Sequence, residues 1–434
     1  MKNFSWMTEL RGGKLQNVCL PFLFLLLPVF FLTIKSWTNT IALIIVFFSI
    51  FGLVIQPSYY FSRRGKLFWL LFMALTIPFA CELIIQLLRS PFYLSALDGP
   101  LRFLLGAITF VFLTKYERNF ILTKSFMLGC LLSVFATFFS VFFIEDYFWG
   151  GRAATYFVDP NSLPVYSGIL SCASLYYINI RVVKVYYKYT LYISVIAMYL
   201  YIIHVSQTRT AWLPALVFIP YFLTRNTRSK WVNFTMIVLA FKITIIIFYF
   251  QNPTFRNRFD NVSKSFKLMN QGNFTTSLGG RVNLVLAEIE LLKMEPIYGF
   301  EDGAIPSFEI LKKRSPTLDL FGYSLLRGAG SHIEITAQLV RKGLILGSIT
   351  VLALFIFPAF YFLKSQREVV LEVRNICEMS FCIVFLIFIP SFGIQVFNLK
   401  MYSTFWAIFL SLFYAVTFTN LPKSRTGPDK FLNC

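Results

Sequence analysis

Charge is scarce in this chain. Of 434 residues, 14% are charged, against about 25% in an ordinary soluble domain. That deficit excludes a soluble globular enzyme and a disordered, solvated tail. Histidine is scarcer still, with only His204 and His332. The cysteines show no C-x-x-C spacing. Cys19, Cys81, Cys130, Cys172, Cys377 and Cys382 lie in or beside apolar runs, and Cys434 is the last residue. A zinc or iron–sulfur site and a disulfide-stapled secreted domain are therefore not expected; the cysteines read as small helix residues. The phosphate-cradling G-x-x-x-x-G-K-[ST], the H-E-x-x-H helix and the G-x-S-x-G elbow are missing too. Gly328-Ala329-Gly330 is too short to cradle phosphate. These absences argue against an ATP-driven pump, and no cofactor or metal is expected.

Apolar residues take the place of charge. Hydrophobic side chains make up 57% of the chain, and phenylalanine alone contributes 52 residues. A membrane-crossing helix needs about 20 mostly apolar residues. Twelve runs qualify, at 16–34, 40–57, 67–88, 97–114, 121–144, 161–180, 190–206, 210–224, 231–250, 344–363, 377–397 and 401–420. The pattern predicts an all-α polytopic membrane protein with about twelve transmembrane helices. Met1 to Lys14 is polar and the first run lacks a small-residue cleavage site, so no removable signal peptide is expected.

The basic residues outnumber the acidic by 40 to 20. On a soluble protein that excess would suggest nucleic acid. Here the cations sit between apolar runs, which indicates membrane orientation and anionic lipid. Alternate connections carry clusters: Lys2/Arg11/Lys14, Arg63/Arg64/Lys66, Lys115/Arg118/Lys124, Arg181/Lys184/Lys188, Arg225/Arg228/Lys230, Lys364/Arg367/Arg374 and Lys423/Arg425/Lys430. The connections between them are sparse, with Lys35, Arg89 and Arg102, Arg152, Arg209, and Lys400. The positive-inside rule then puts both termini in the cytoplasm.

One connection is long. It runs from Gln251 to Ser331 on the non-cytoplasmic side. Val282, Leu284, Val285, Ile289, Leu291 and Leu292 recur there at helical spacing after Gly279-Gly280, and Pro296 closes the run. A folded cap is expected. The organisation is thus a bundle of nine spans over 1–250, a loop domain over 251–331, three further spans over 332–420 and a cytoplasmic tail over 421–434.

Three polar features share the non-cytoplasmic face. In Ser206-Gln207-Thr208-Arg209-Thr210-Ala211-Trp212, an arginine sits at the bilayer edge. Its fork of donors suits phosphate oxygens, although such a residue can also simply snorkel to headgroups. In Thr275-Thr276-Ser277-Leu278-Gly279-Gly280-Arg281, a guanidinium follows the start of a helix, where N–H groups can also meet an anion. An ordinary helix start with a solvated arginine is the plainer alternative. In Ser331-His332-Ile333-Glu334, the imidazole is a proton acceptor suited to neutral pH, with Glu334 two residues on; a loop histidine with no chemical task is the plainer alternative. Gly343 and Gly347 follow at a spacing that suits close helix packing. His204 reads as a helix-face residue, and Glu82 and Lys242 as polar positions inside the bundle. Glu145, Asp146 and Asp159, grouped with Arg152, read as solvated loop residues that could also meet an acceptor.

In their order and spacing these features resemble the bacterial O-antigen ligase family, within the wider group of O-antigen ligases and polymerases. The resemblance rests on Ser206 to Arg209, Thr276 to Arg281, His332 with Glu334, and Gly343. Asn257-Arg258-Phe259 is also similar to enterobacterial ligases. It covers the chain in layout, with motifs confined to 206–347. It departs in having Ile333 where an asparagine often follows the histidine, which leaves ligase and polymerase both open.

The resemblance implies a GT-C-like membrane fold in the bacterial inner membrane, with the long loop in the periplasm. It implies an undecaprenyl-diphosphate-linked glycan donor and a lipid A–core acceptor, joined without ATP, metal or nucleotide sugar. Arg209 and Arg281 would bind the donor diphosphate and His332 would be the base, supported by Glu334, Ser206 and Gly280. A glycolipid flippase or other transporter is the rival from outside enzymes, although no internal repeat of the transporter kind stands out.

Overall fold

The computed structural model describes residues 14–61, 65–89, 92–143, 152–225, 229–251, 253–274, 276–300, 305–316, 318, 322–324, 326 and 333–422. Among these residues every regular element is helical. With no water in a bilayer core, backbone groups must pair within the segment, and an apolar run achieves that as a helix.

Each predicted span overlaps helix, although 344–363 crosses three helical segments and 377–397 runs past a helix that ends at Phe388. The elements are α1 (Lys14–Phe31), α2 (Trp37–Ile55), α3 (Lys66–Leu88), α4 (Asp98–Leu113), α5 (Asn119–Phe142), α6 (Ser162–Arg181), α7 (Val185–Ser206), α8 (Trp212–Thr224) and α9 (Lys230–Gln251). The long connection contributes α10 (Pro253–Asn270), α11 (Ser277–Met294) and α12 (Phe308–Arg314). The chain closes with α13 (Glu334–Val351), α14 (Phe357–Ser365), α15 (Leu371–Phe388) and α16 (Lys400–Thr419). Among the described residues, nine helical stretches are long and apolar enough to cross a membrane. The chain is a multi-pass membrane protein. Of the twelve predicted spans, the first is a shorter apolar helix here, Gln16–Phe31. The eighth is the 13-residue α8, and much of α9 has side chains outside the described set.

Packing divides the chain into two units. Unit 1 takes residues 1–211, 352–388 and 397–434; unit 2 takes 212–351 and 389–396. This is a division by contacts, where the hydropathy boundary at 250 is one of polarity.

Unit 1 is built around α16, which is 94% buried at a mean hydropathy of 1.5, whereas α2 is 39% buried at 2.4. The central helix is thus the less apolar one. Lipid is as apolar as leucine, so hydrophobicity does not drive helices together in a bilayer; small and polar residues do. Ser411 donates to the carbonyl oxygens of Gly106 and Ala407, both at 2.6 Å. A Cβ at Gly106 would come within 3.1 Å of Ala407, and one at Gly129 would overlap the Leu25 carbonyl.

Polar pairs sort the connections of unit 1. Tyr116 donates to Asn17 Oδ1 at 3.0 Å, Asn119 to Thr419 Oγ1 at 2.9 Å, and Lys124 pairs with Glu372 at 3.0 Å. The start of α1, the connection from α4 to α5, the start of α15 and the end of α16 therefore share one end. At another end Thr404 donates to Asn39 Oδ1 at 2.7 Å, and Asp98 meets both Arg102 and Lys400. Glu82, buried in α3, accepts from Gln86 at 3.2 Å.

Unit 2 carries the long connection, and its described part folds. Leu284, Ala287 and Leu291 on one side of α11 form a small core with Leu311, Leu318, Leu326 and Val340. Leu284 and Leu291 are among the periodic apolar residues that mark 282–292 in the sequence. The apolar spacing over 282–292 marks α11; α10 is not anticipated, its residues being polar on average. Lys242 of α9 is exposed.

Candidate functional site

The first feature is a turn in unit 1 at the end of α7. Gln207 takes φ 55°, one of two positive values among the described non-glycine residues. A left-handed residue with a side chain costs about 1–2 kcal/mol, so something must hold it. Arg152 does. Its Nε donates to the Ser206 carbonyl at 2.9 Å, and Nη2 donates to Asn161 Oδ1 at 2.9 Å and Thr208 Oγ1 at 2.8 Å. Thr208 in turn donates to the Pro160 carbonyl. The Ala153 N–H donates to the Val205 carbonyl at 3.1 Å. Asp159 Oδ1 accepts from the N–H groups of Asn161 and Ser162 at 2.8 and 3.1 Å, satisfying donors at the start of α6.

Ser206 and Thr208 are buried; the Ser206 hydroxyl donates to the Ile203 carbonyl of its own helix at 3.1 Å, while the Ser206 carbonyl and the Thr208 hydroxyl accept from Arg152. Arg209 is exposed and opens the helical turn Arg209–Ala211 that leads into α8. Arg152 thus fixes the turn bearing Arg209, and Asp159, which reads from sequence as solvated, instead caps the start of α6. Two partners of Arg152 lie 54 and 56 positions away, beyond any local spacing rule. Glu145 and Asp146 lie outside the described residues. His204 is exposed on the last turn of α7.

The second feature opens α11 in unit 2. Thr276 is the N-cap: its hydroxyl accepts from the Gly279 N–H at 3.1 Å, and its carbonyl accepts from Gly280 at 2.7 Å. Helix starts leave N–H groups without intrahelical acceptors, and this cap satisfies one of them. Gly279 is required by space, since a Cβ would sit 2.9 Å from the Phe274 backbone. Gly280 is not so constrained, with Phe274 O at 4.0 Å from such a Cβ. Arg281 follows, half-buried just inside the helix start.

The third feature falls partly outside the described residues. Gly328, Ala329, Gly330, Ser331 and His332 are among those not described, and the chain resumes at Ile333. Glu334 is buried, donates its N–H to the Ile394 carbonyl at 3.2 Å and accepts from Gln338 at 2.7 Å.

Gly343 does something other than pack two straight helices. It breaks α13 with φ 73°, and a Cβ there would overlap the Ile297 carbonyl. Gly299, at φ 66°, faces the same break; a Cβ there would overlap the Val340 carbonyl. Across the break the Phe300 N–H donates to Val340 O, and the Leu344 N–H donates to Pro296 O, each at 2.7 Å. Gly347 does serve a close approach, to Gln338 O at 2.6 Å from an added Cβ. The segment after α11 is therefore clasped backbone to backbone with the helix that begins two residues after His332. The helix of Arg281 and the helix following His332 belong to one packed unit. Sequence spacing passed over Gly299 and the buried Lys342. Pro296 followed by a glycine three positions on was the available sign of the clasp.

Among the described residues no three His, Cys, Asp or Glu side chains gather as metal ligands would.

Comparison with known proteins adds one partial likeness. Over 207 residues the chain is 27% identical to an uncharacterized protein of Haemophilus influenzae, a match covering 46% of this chain and 50% of that protein. The chain thus spans about half the length of the curated relative it matches. No protein-family model matches.

Proposed function

We propose that the protein is a glycosyltransferase of the O-antigen ligase kind, set in the bacterial inner membrane with twelve crossings, a GT-C-like arrangement and cytoplasmic termini. It transfers a polysaccharide from undecaprenyl diphosphate to a sugar hydroxyl of lipid A–core on the periplasmic side. The observation that carries this reading is the ordered set of Arg209 at a helix end, Thr276 to Arg281 at a helix start, and His332 before a third helix. The Thr276-capped helix start beside a guanidinium supports it, because both are complementary to phosphate oxygens.

In the reaction the acceptor hydroxyl attacks the anomeric carbon from the face opposite the diphosphate. The new glycosidic C–O bond forms as the bond to the phosphate oxygen breaks, with inversion. The leaving undecaprenyl diphosphate takes the electron pair, and Arg209 and Arg281 stabilise the charge that builds on it. The hydroxyl proton passes to the His332 imidazole. The diphosphate ester already carries the driving force, so no ATP enters the scheme, and the arginines take the place a metal ion fills elsewhere.

A second reading has its own observation. Ile333 stands where an asparagine often follows the histidine in ligases, which favours keeping a polymerase that extends one lipid-linked glycan with another. A strain lacking this protein separates the two on a lipopolysaccharide gel. Loss of all capped lipopolysaccharide, with long polymer retained on the lipid carrier, is the ligase result. A single repeat attached to core is the polymerase result and overturns the first reading.

A further inference from the structure

An unassigned surface lies on α10. One residue, Asn252, separates the end of α9 from the start of α10, so an apolar run is followed closely by a polar helix. In its sequence Phe255, Phe259, Val262, Phe266 and Met269 recur at i, i+4, i+7, i+11 and i+14, the spacing of a single apolar stripe. Arg256, Arg258, Lys264 and Lys267 stand against one acid, Asp260.

Exposure shows which side is open. Val262, Leu268 and Met269 are half-buried and Ser265 is buried, so one side is packed within unit 2. Phe266 is 55% exposed and Phe250, at the end of α9, 67%. Arg256, Lys264 and Lys267 are exposed as well. The corner between the helices is fixed. Arg256 donates to the Tyr249 and Phe250 carbonyls at 3.3 and 3.0 Å, and the Tyr249 hydroxyl donates to Asp260 at 2.7 Å. Those bonds occupy the helix's only acid and satisfy carbonyls at the end of α9. They hold α10 where the apolar run stops, which is where a bilayer gives way to headgroups.

We infer that α10 lies along the bilayer surface, with Phe250 and Phe266 at the acyl boundary and Lys264 and Lys267 on anionic lipid headgroups. A helix with an apolar stripe and a basic polar face partitions to that depth. Its start just after a membrane-length helix delivers it there, and its charge is complementary to acidic lipid. The inference uses none of Arg209, Arg281 or His332 and stands apart from the proposed reaction.

The test is hydrogen–deuterium exchange of the full chain in bilayer discs of phosphatidylcholine alone and of equimolar phosphatidylcholine and phosphatidylglycerol. Protection over 253–270 is expected to rise in the anionic discs, by about fivefold for each lysine engaged. The double variant Lys264→Glu with Lys267→Glu should erase the rise. Both side chains are exposed, so exchange in α11 serves as the folding check and should not change. Equal protection of 253–270 in the two discs overturns the inference. So does a rise that survives the double charge reversal, which would mean that the rest of the protein, or a protein partner, covers this helix.

Discussion

Two turns carry the arginines assigned to the diphosphate, and they are built by opposite means. The turn before Arg209 is held by a side chain reaching across sequence: one guanidinium, Arg152, binds a carbonyl, an amide and a hydroxyl around a left-handed Gln207. The turn before Arg281 is held by contacts local in sequence. Thr276 caps the helix three residues on, and Gly279 lies against Phe274 with no room for a methyl group. A side-chain clamp is sensitive to the loss of a distant charge. A turn built from local contacts is sensitive to a single added carbon and indifferent to charge.

The sharpest break of this comparison removes the arginines themselves. Arg209→Ala and Arg281→Ala should each abolish transfer while leaving the protein at normal levels in the membrane, read by lipopolysaccharide gel and immunoblot. Near-normal capping in both variants would remove the diphosphate role. The next effect separates neighbouring glycines. Gly279→Ala forces a Cβ to 2.9 Å from backbone and should destabilise unit 2 by about 1–3 kcal/mol, seen as a lower melting temperature in detergent. Gly280→Ala places a Cβ at ordinary contact distance, 4.0 Å from the Phe274 carbonyl oxygen, and should be neutral or stabilising by up to about 1 kcal/mol.

Arg152→Ala tests the other turn. It leaves Thr208 and Asn161 without their charged donor and should cost about 2–3 kcal/mol, with transfer reduced although Arg209 is intact. Transfer unchanged in this variant would mean that Arg209 needs no clamp. The smallest effect belongs to Thr276→Ala, about 1 kcal/mol for a lost N-cap. Thr276→Ser should restore it.

The same contrast explains what was legible in the sequence. Helices such as α2, α5 and α16 announce themselves because a bilayer demands an unbroken apolar run. The start of α11 was legible because capping and helical periodicity are local. The Arg152 clamp was not, since its partners are 54 and 56 positions distant and nothing in a short loop points to them. Gly343 shows a different limit. Glycines four apart suit both close helix packing and a helix break, and only the approach of Ile297 decides that Gly343 is the break. Helix α10 escaped because alternation of charge and phenylalanine reads as loop until the period is counted over the full segment.

One measurement bears most directly on the central claim that His332 and the two arginines drive glycosyl transfer. Purified protein in detergent is mixed with undecaprenyl-diphosphate-linked glycan and lipid A–core, without ATP or added metal, and joined product is followed in the native chain and in His332→Ala. The account predicts product from the native chain and donor binding without turnover in the variant. Turnover of the variant at neutral pH equal to that of the native chain, or movement of lipid with no joined product from either, would contradict it.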